Sequence, residues 1–107
     1  MAGLADETII DGASVIGEEE IRQQLETLPG WNLVADGNAI EREWHFKTFR
    51  QAAQLANLAA WQAEEARHHP DIAFGWGWAR ITFTTHSAKG VTLNDLIMAA
   101  RLSQAVD

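Results

Sequence analysis

The chain contains no cysteine and only two prolines, and it has few basic residues. Without cysteine there is no disulfide, no thiolate nucleophile and no cysteine-ligated zinc or iron–sulfur centre. Eight Lys and Arg stand against fifteen Asp and Glu, a formal net charge of −7. A phosphate-binding surface needs clustered Lys and Arg, and none is clustered here, which argues against direct nucleic-acid binding. No apolar run approaches the roughly 20 residues that a membrane helix requires. Asp6, Glu7 and Asp11 precede the first basic residue, so the basic-then-apolar pattern of a signal peptide is missing and a cytoplasmic protein is expected. Glycine-rich phosphate loops, a GxSxG elbow and an HExxH helix are absent as well.

What is present fits one globular domain. The 107 residues are 47% hydrophobic and 21% charged, within the range of ordinary soluble domains and long enough to bury a core. The acidic charge is uneven, with six carboxylates and no base in the first 20 residues. Residues 1–16 show no sustained period and contain Gly3 and Gly12; they are read as a mobile or loosely docked acidic leader. Residues 17–107 form the domain.

Periodicity gives its elements. A first helix is expected over 18–28, with Ile21, Leu25 and Leu28 on one face and Pro29-Gly30 ending it. A short strand over 31–34 and a turn at Asp36-Gly37-Asn38 lead into a strand over 40–46. There Ile40, Arg42, Trp44 and Phe46 share one face while Glu41, Glu43 and His45 take the other, so His45 is expected in solvent. Thr48 can cap a long helix to about Arg67, built on Phe49, Ala52, Ala53, Ala56, Ala59, Ala60 and Ala63. A thinner apolar line on that helix, Leu55 and Leu58, reads either as exposed surface or as a contact with another subunit. Strands over 72–76 and 79–85 flank Gly77, and Thr92-Leu93-Asn94-Asp95 is a capping-box pattern opening a last helix. The order α-β-β-α-β-β-α predicts an α+β domain, a four-stranded antiparallel sheet with helices packed on one face.

Chemistry concentrates at two element ends. His68-His69-Pro70 and Thr84-Thr85-His86 hold three of the four histidines. An imidazole gives or takes a proton near neutral pH unaided, and several in one place can protonate one atom of a substrate while deprotonating another. Adjacent histidines before a proline also suit a helix C-terminus, where imidazolium complements the dipole. Three histidines and a carboxylate can ligate zinc. Neighbours in an extended chain point to opposite sides, however, so His68 and His69 do not readily share one ion. Acid–base chemistry on a small organic molecule is the reading that remains, with no metal and no cofactor.

Several blocks agree in order with one family. Ala63-Glu64-Glu65-Ala66-Arg67-His68-His69-Pro70-Asp71-Ile72, Thr85-His86-Ser87-Ala88 and Gly90-Val91-Thr92-Leu93-Asn94-Asp95 resemble the signature of the pterin-4a-carbinolamine dehydratases. Leu28-Pro29-Gly30-Trp31 and Trp44-His45-Phe46-Lys47-Thr48-Phe49 resemble its earlier segments, and the likeness covers about residues 18–106. It implies a hydro-lyase of tetrahydrobiopterin recycling, converting a 4a-hydroxytetrahydropterin released by aromatic amino acid hydroxylases into the quinonoid dihydropterin without metal or organic cofactor. It also implies a homodimer or homotetramer, with a hydroxylase or another protein as partner.

Carried over by position, the resemblance makes His68, His69 and His86 catalytic, with Asp95 as their acidic partner. His68, His69 and Pro70 together with Thr85, His86, Ser87 and Ala88 would contact the pterin. Asp95 has a competing role as a helix cap, and Glu64 either orients His68 or is simply solvated. Arg67 stands where animal members commonly have an acid, Trp76-Gly77-Trp78 replaces a tyrosine-containing turn, and Lys89 stands where many bacterial relatives have glycine. Other proteins of this fold serve as a dimerisation cofactor for a homeodomain transcription factor or as assembly factors for the carbon-fixing carboxylase. The alternative reading is therefore a protein-binding module, although a lineage freed from catalysis has no physical reason to keep all three histidines.

Overall fold

A computed structural model describes residues 3–107. Helix α1 spans Glu18–Leu25, strand β1 Asn32–Val34 and strand β2 Ala39–His45. Helix α2 spans Phe49–Ala66, strands β3 and β4 are Asp71–Gly75 and Trp78–Phe83, and helix α3 is Leu93–Val106. The strands form one antiparallel sheet in the order β1-β2-β4-β3, which leaves β1 and β3 at the edges. Element order and sheet are those the sequence predicts. No helix among the described residues is long and apolar enough to cross a membrane.

Strand alternation decides which face is covered. Ile40 and Trp44 of β2 and Ala79, Ile81 and Phe83 of β4 point to the helices and are buried. Trp31 packs edge-on against Trp44, ring centroids 5.8 Å apart, and also meets Phe83. Arg42 shares this face yet keeps its charge satisfied, lying over the Trp44 ring at 4.4 Å and pairing with Asp107 at 2.9 Å. The opposite face stays open and polar: Arg80 reaches Glu43, Thr82 donates to Glu41 at 2.8 Å, and His45 lies beside Glu43, in solvent as expected.

Three local expectations differ from the structure. Helix α1 ends at Leu25; residues 26–28 continue as tighter turns in which Leu28 N–H donates to Leu25 O, and Leu28 still reaches the core. On α2 the buried stripe is Ala52, Leu55, Ala56, Ala59 and Ala63, with Leu55 only 5% exposed. Leu55 is thus a core residue and not a surface line. Its i+3 offset from Ala52 and i+4 offset to Ala59 put it on the core-facing side, whereas Ala60 and Phe49 lie outside the stripe and are exposed.

The third difference concerns the leader, which lies along α3. Arg101 donates to Ala5 O at 3.1 Å and to Glu7 O at 2.7 Å. Asn94 exchanges two hydrogen bonds with the Ile10 backbone, at 2.9 and 2.8 Å. Val15 bridges to Thr92, and Ile16 N–H donates to Val91 O at 3.0 Å. The segment has no period to mark what it packs against; Leu4, Ala5, Ile9 and Ile16 pack on the hydrophobic core, and its polar clamps come from a helix more than 80 residues away.

Leu55→Ala should lower unfolding free energy by about 2–5 kcal/mol, the usual range for a buried leucine, while Trp61→Ala on the exposed side should change it by less than about 0.5 kcal/mol. Urea denaturation of both variants checks this; equal midpoints would contradict the observed face of α2.

Candidate active site

Helix α2 delivers the first histidine. Thr48 caps it by accepting from Gln51 N–H at 3.1 Å. At its other end Arg67 N–H donates to Glu64 O and His68 N–H to Ala63 O, the paired bonds of a Schellman closure. That closure needs a left-handed residue, and Arg67 supplies it at φ 56°, at a cost of about 1–2 kcal/mol for a side-chain-bearing residue. The reversal turns His68 inward, where its ring stacks on Phe83 with the planes 11° apart.

The second part comes from the turn after β4. Thr85 N–H donates to Gly90 O at 2.9 Å, closing a loop that holds a 3-10 turn over His86–Ala88. Lys89 closes that turn at φ 63°, a left-handed position that glycine occupies without strain.

The third part is the first turn of α3, where Asp95 is completely buried. Its Oδ1 lies 2.6 Å from His68 Nε2, and its Oδ2 accepts from Thr92 N–H at 2.9 Å and from Thr85 Oγ1 at 2.8 Å. Because the Thr85 proton goes to Asp95, the 2.8 Å contact between Thr85 and Thr92 hydroxyls has Thr92 as donor. The capping role and the histidine-partner role are therefore held by one carboxylate, one oxygen to each. A buried charge is tolerated only when paired and hydrogen-bonded, and here every donor comes from a different element end.

His68 and Thr85 border a cleft of about 430 Å³, together with Ser87, Arg67 and residues 9–13 of the leader. A larger groove of about 580 Å³ between α2 and α3 is lined by Gln62, Glu65 and Arg101 and has no histidine.

The structure thus gathers His68, Asp95, Thr85 and Ser87. His69 is not drawn into that network. It turns outward, 62% exposed, with Nε2 at 3.0 Å from Glu64, so Glu64 orients His69 and not His68. His86 is exposed on its turn between the two cleft-lining residues Thr85 and Ser87; Pro70 and Ala88 are half-buried and do not line the cleft. Among the described residues, no group of three or more His, Asp or Glu is placed to hold a metal ion.

Sequence reasoning missed Phe83 beneath His68, Thr92 as a member of the network, and the leader as a wall of the cleft. Thr92 already carried a signal as a helix cap, but nothing local marks a cap as part of a site. An ionised carboxylate only accepts, so the Asp95 contact places a proton on His68 Nε2 and leaves Nδ1 outside the pair.

Asp95→Ala should cost about 3–5 kcal/mol in stability, as removal of one partner from a buried pair does. Glu64→Ala should cost no more than about 1 kcal/mol, because its pair with His69 is exposed. Chemical denaturation distinguishes the two.

Comparison with known proteins gives the family. The model of the pterin 4 alpha carbinolamine dehydratase family matches residues 14–105. A protein of Paracoccus denitrificans, provisionally named as such a dehydratase, is 65% identical over 98% of both chains. One from Hydrogenovibrio crunogenus, with the same provisional name, is 35% identical over 94% of this chain and 89% of its own. The crystal structure of a transcriptional coactivator/pterin dehydratase from Brucella melitensis superposes with a TM-score of 0.81 at 33% identity, covering 88% of this chain and all of that one. By the family model over residues 14–105 and by these identities, the chain belongs to the pterin 4 alpha carbinolamine dehydratase family.

Proposed function

We propose that the protein dehydrates a 4a-hydroxytetrahydropterin to the quinonoid dihydropterin, in the cytoplasm and as part of tetrahydrobiopterin recycling. The observation that carries this reading is the His68–Asp95 pair, 2.6 Å apart, with His68 on the wall of a cleft large enough for a bicyclic ring and Asp95 buried behind it. In the reaction a proton reaches the 4a-hydroxyl oxygen as the C4a–O bond breaks, and N5 gives up its proton. The N5 electrons close the C4a=N5 bond, and water leaves. His68, held by Asp95, takes the N5 proton on Nδ1. His86, between Thr85 and Ser87, delivers the proton to the departing oxygen. His69, paired with Glu64 in solvent, returns protons between turnovers. Pro70 and Ala88 complete the walls of the loops that contact the ring.

The same reading includes a symmetric assembly. Strand β3 pairs only with β4, so its outer edge is open, and its residues Asp71–Gly75 carry neither Lys nor Pro. Such an edge tends to pair with another chain, and its own copy across a two-fold axis satisfies it.

A protein-binding role beside catalysis has its own support. Trp76 is 69% exposed, and Phe74 and Phe49 form an exposed pair with ring centroids 5.7 Å apart next to the same edge. Exposed aromatic residues of this kind mark interaction surfaces.

The test is an assay with chemically generated 4a-hydroxytetrahydropterin. His68→Gln and His86→Ala should each lower the enzymatic rate about 100-fold or more, since positioned acid–base groups contribute 10²–10⁴-fold, and a strong chelator should leave the native rate unchanged. Native rates in both histidine variants would defeat the assignment. Light scattering at micromolar concentration should give at least a dimeric mass; a monomer would exclude the edge pairing.

A further inference from the structure

Two consecutive residues of α3 hold opposite walls of the cleft. Asp95 fixes His68, and Asn94, 5% exposed, grips the Ile10 backbone through both its amide oxygen and its amide nitrogen. The leader wall, residues 9–13, is therefore fastened to the same helical turn as the histidine. Gly12 at φ 77° reverses the chain directly after Asp11, a conformation that favours glycine. Asp11 is the one carboxylate that lines the cleft among the described residues. The match to the family model begins at residue 14, so this wall lies outside it.

We propose that Asp11 is a specificity-determining residue of the cleft, reading the paired N–H donors of the substrate's aminopyrimidinone ring; this rests on the pterin reading above. The 2-amino group and the adjacent ring N3–H present two nearly parallel donors. A carboxylate offers two acceptor oxygens with matching geometry and no donor of its own, which makes the contact bidentate and charge-assisted. Both polar atoms of the Asn94 amide already serve Ile10, so that amide is not available to the ring. Arg67 on the facing wall only donates, so it complements the neighbouring 4-oxo group and not the donor pair. Asp11 stays remote from the bond that breaks. It acts on which ring is held and how tightly, not on proton transfer.

The experiment compares 6-methylpterin with its counterpart lacking the 2-amino group, following fluorescence on titration into the full-length protein, Asp11→Asn and Asp11→Glu. Native protein should prefer 6-methylpterin by about 10-fold or more, the usual worth of a hydrogen bond to a charged group. Asp11→Asn should lose most of that preference, and Asp11→Glu should recover part of it. In the dehydration assay Asp11→Asn should raise KM with kcat unchanged, at an unaltered melting temperature. Undiminished preference in Asp11→Asn, with native binding intact, overturns the role of Asp11 alone. Failure of the native protein to bind either compound overturns the pterin reading, and this inference with it.

Discussion

The Asp95 carboxylate is the point on which the site depends. Three elements end near it, and each presents a donor that has no comparable partner elsewhere: His68 from the close of α2, Thr85 from the end of β4, and the Thr92 N–H at the start of α3. Unpaired, a buried carboxylate is costly; paired three ways, it fixes the relative position of all three elements. Stability and chemistry are thus not separable at this residue. The contact that anchors α3 to the sheet also sets the tautomer of the imidazole.

Much of this was legible in the sequence because most elements announce themselves by period and punctuation. The alternation in β2 and the Thr48 cap marked the sheet face and the start of α2, and the histidine-bearing loops fell where elements stop. The Asp95 cap was legible as well, since first-turn carboxylates follow a local rule. Its second oxygen was not, because the partner, His68, is 27 residues away and only the assembled fold brings the two together. The divergence of His68 and His69 followed from their adjacency, but which of them faces inward depends on the left-handed Arg67, and a left-handed arginine has no sequence signature comparable to glycine's.

The leader shows the opposite limit. Its composition resembles that of a solvated tail, and nothing in residues 3–13 predicts a docking partner. Its attachment comes from Leu4, Ala5, Ile9 and Ile16, which pack on the core, and from Asn94 and Arg101, polar residues on α3 that hydrogen-bond its backbone. Pattern reading locates apolar faces well because burial repeats with the element's period. It locates polar clamps poorly, because one amide suffices to make one.

The Schellman closure at Ala63 and Glu64 makes the length of α2 part of the candidate site. His68 is aimed by the last turn of a helix and not by a free loop, and each added or deleted helical residue rotates whatever follows by about 100°. A single-residue insertion anywhere between the Thr48 cap and Arg67 would carry the imidazole off Phe83 and away from Asp95, even with every side chain of the site retained. Substitutions on the outer side of α2 escape this constraint. Through evolution that helix is therefore free to change composition on its solvent face, but held to a fixed count of residues.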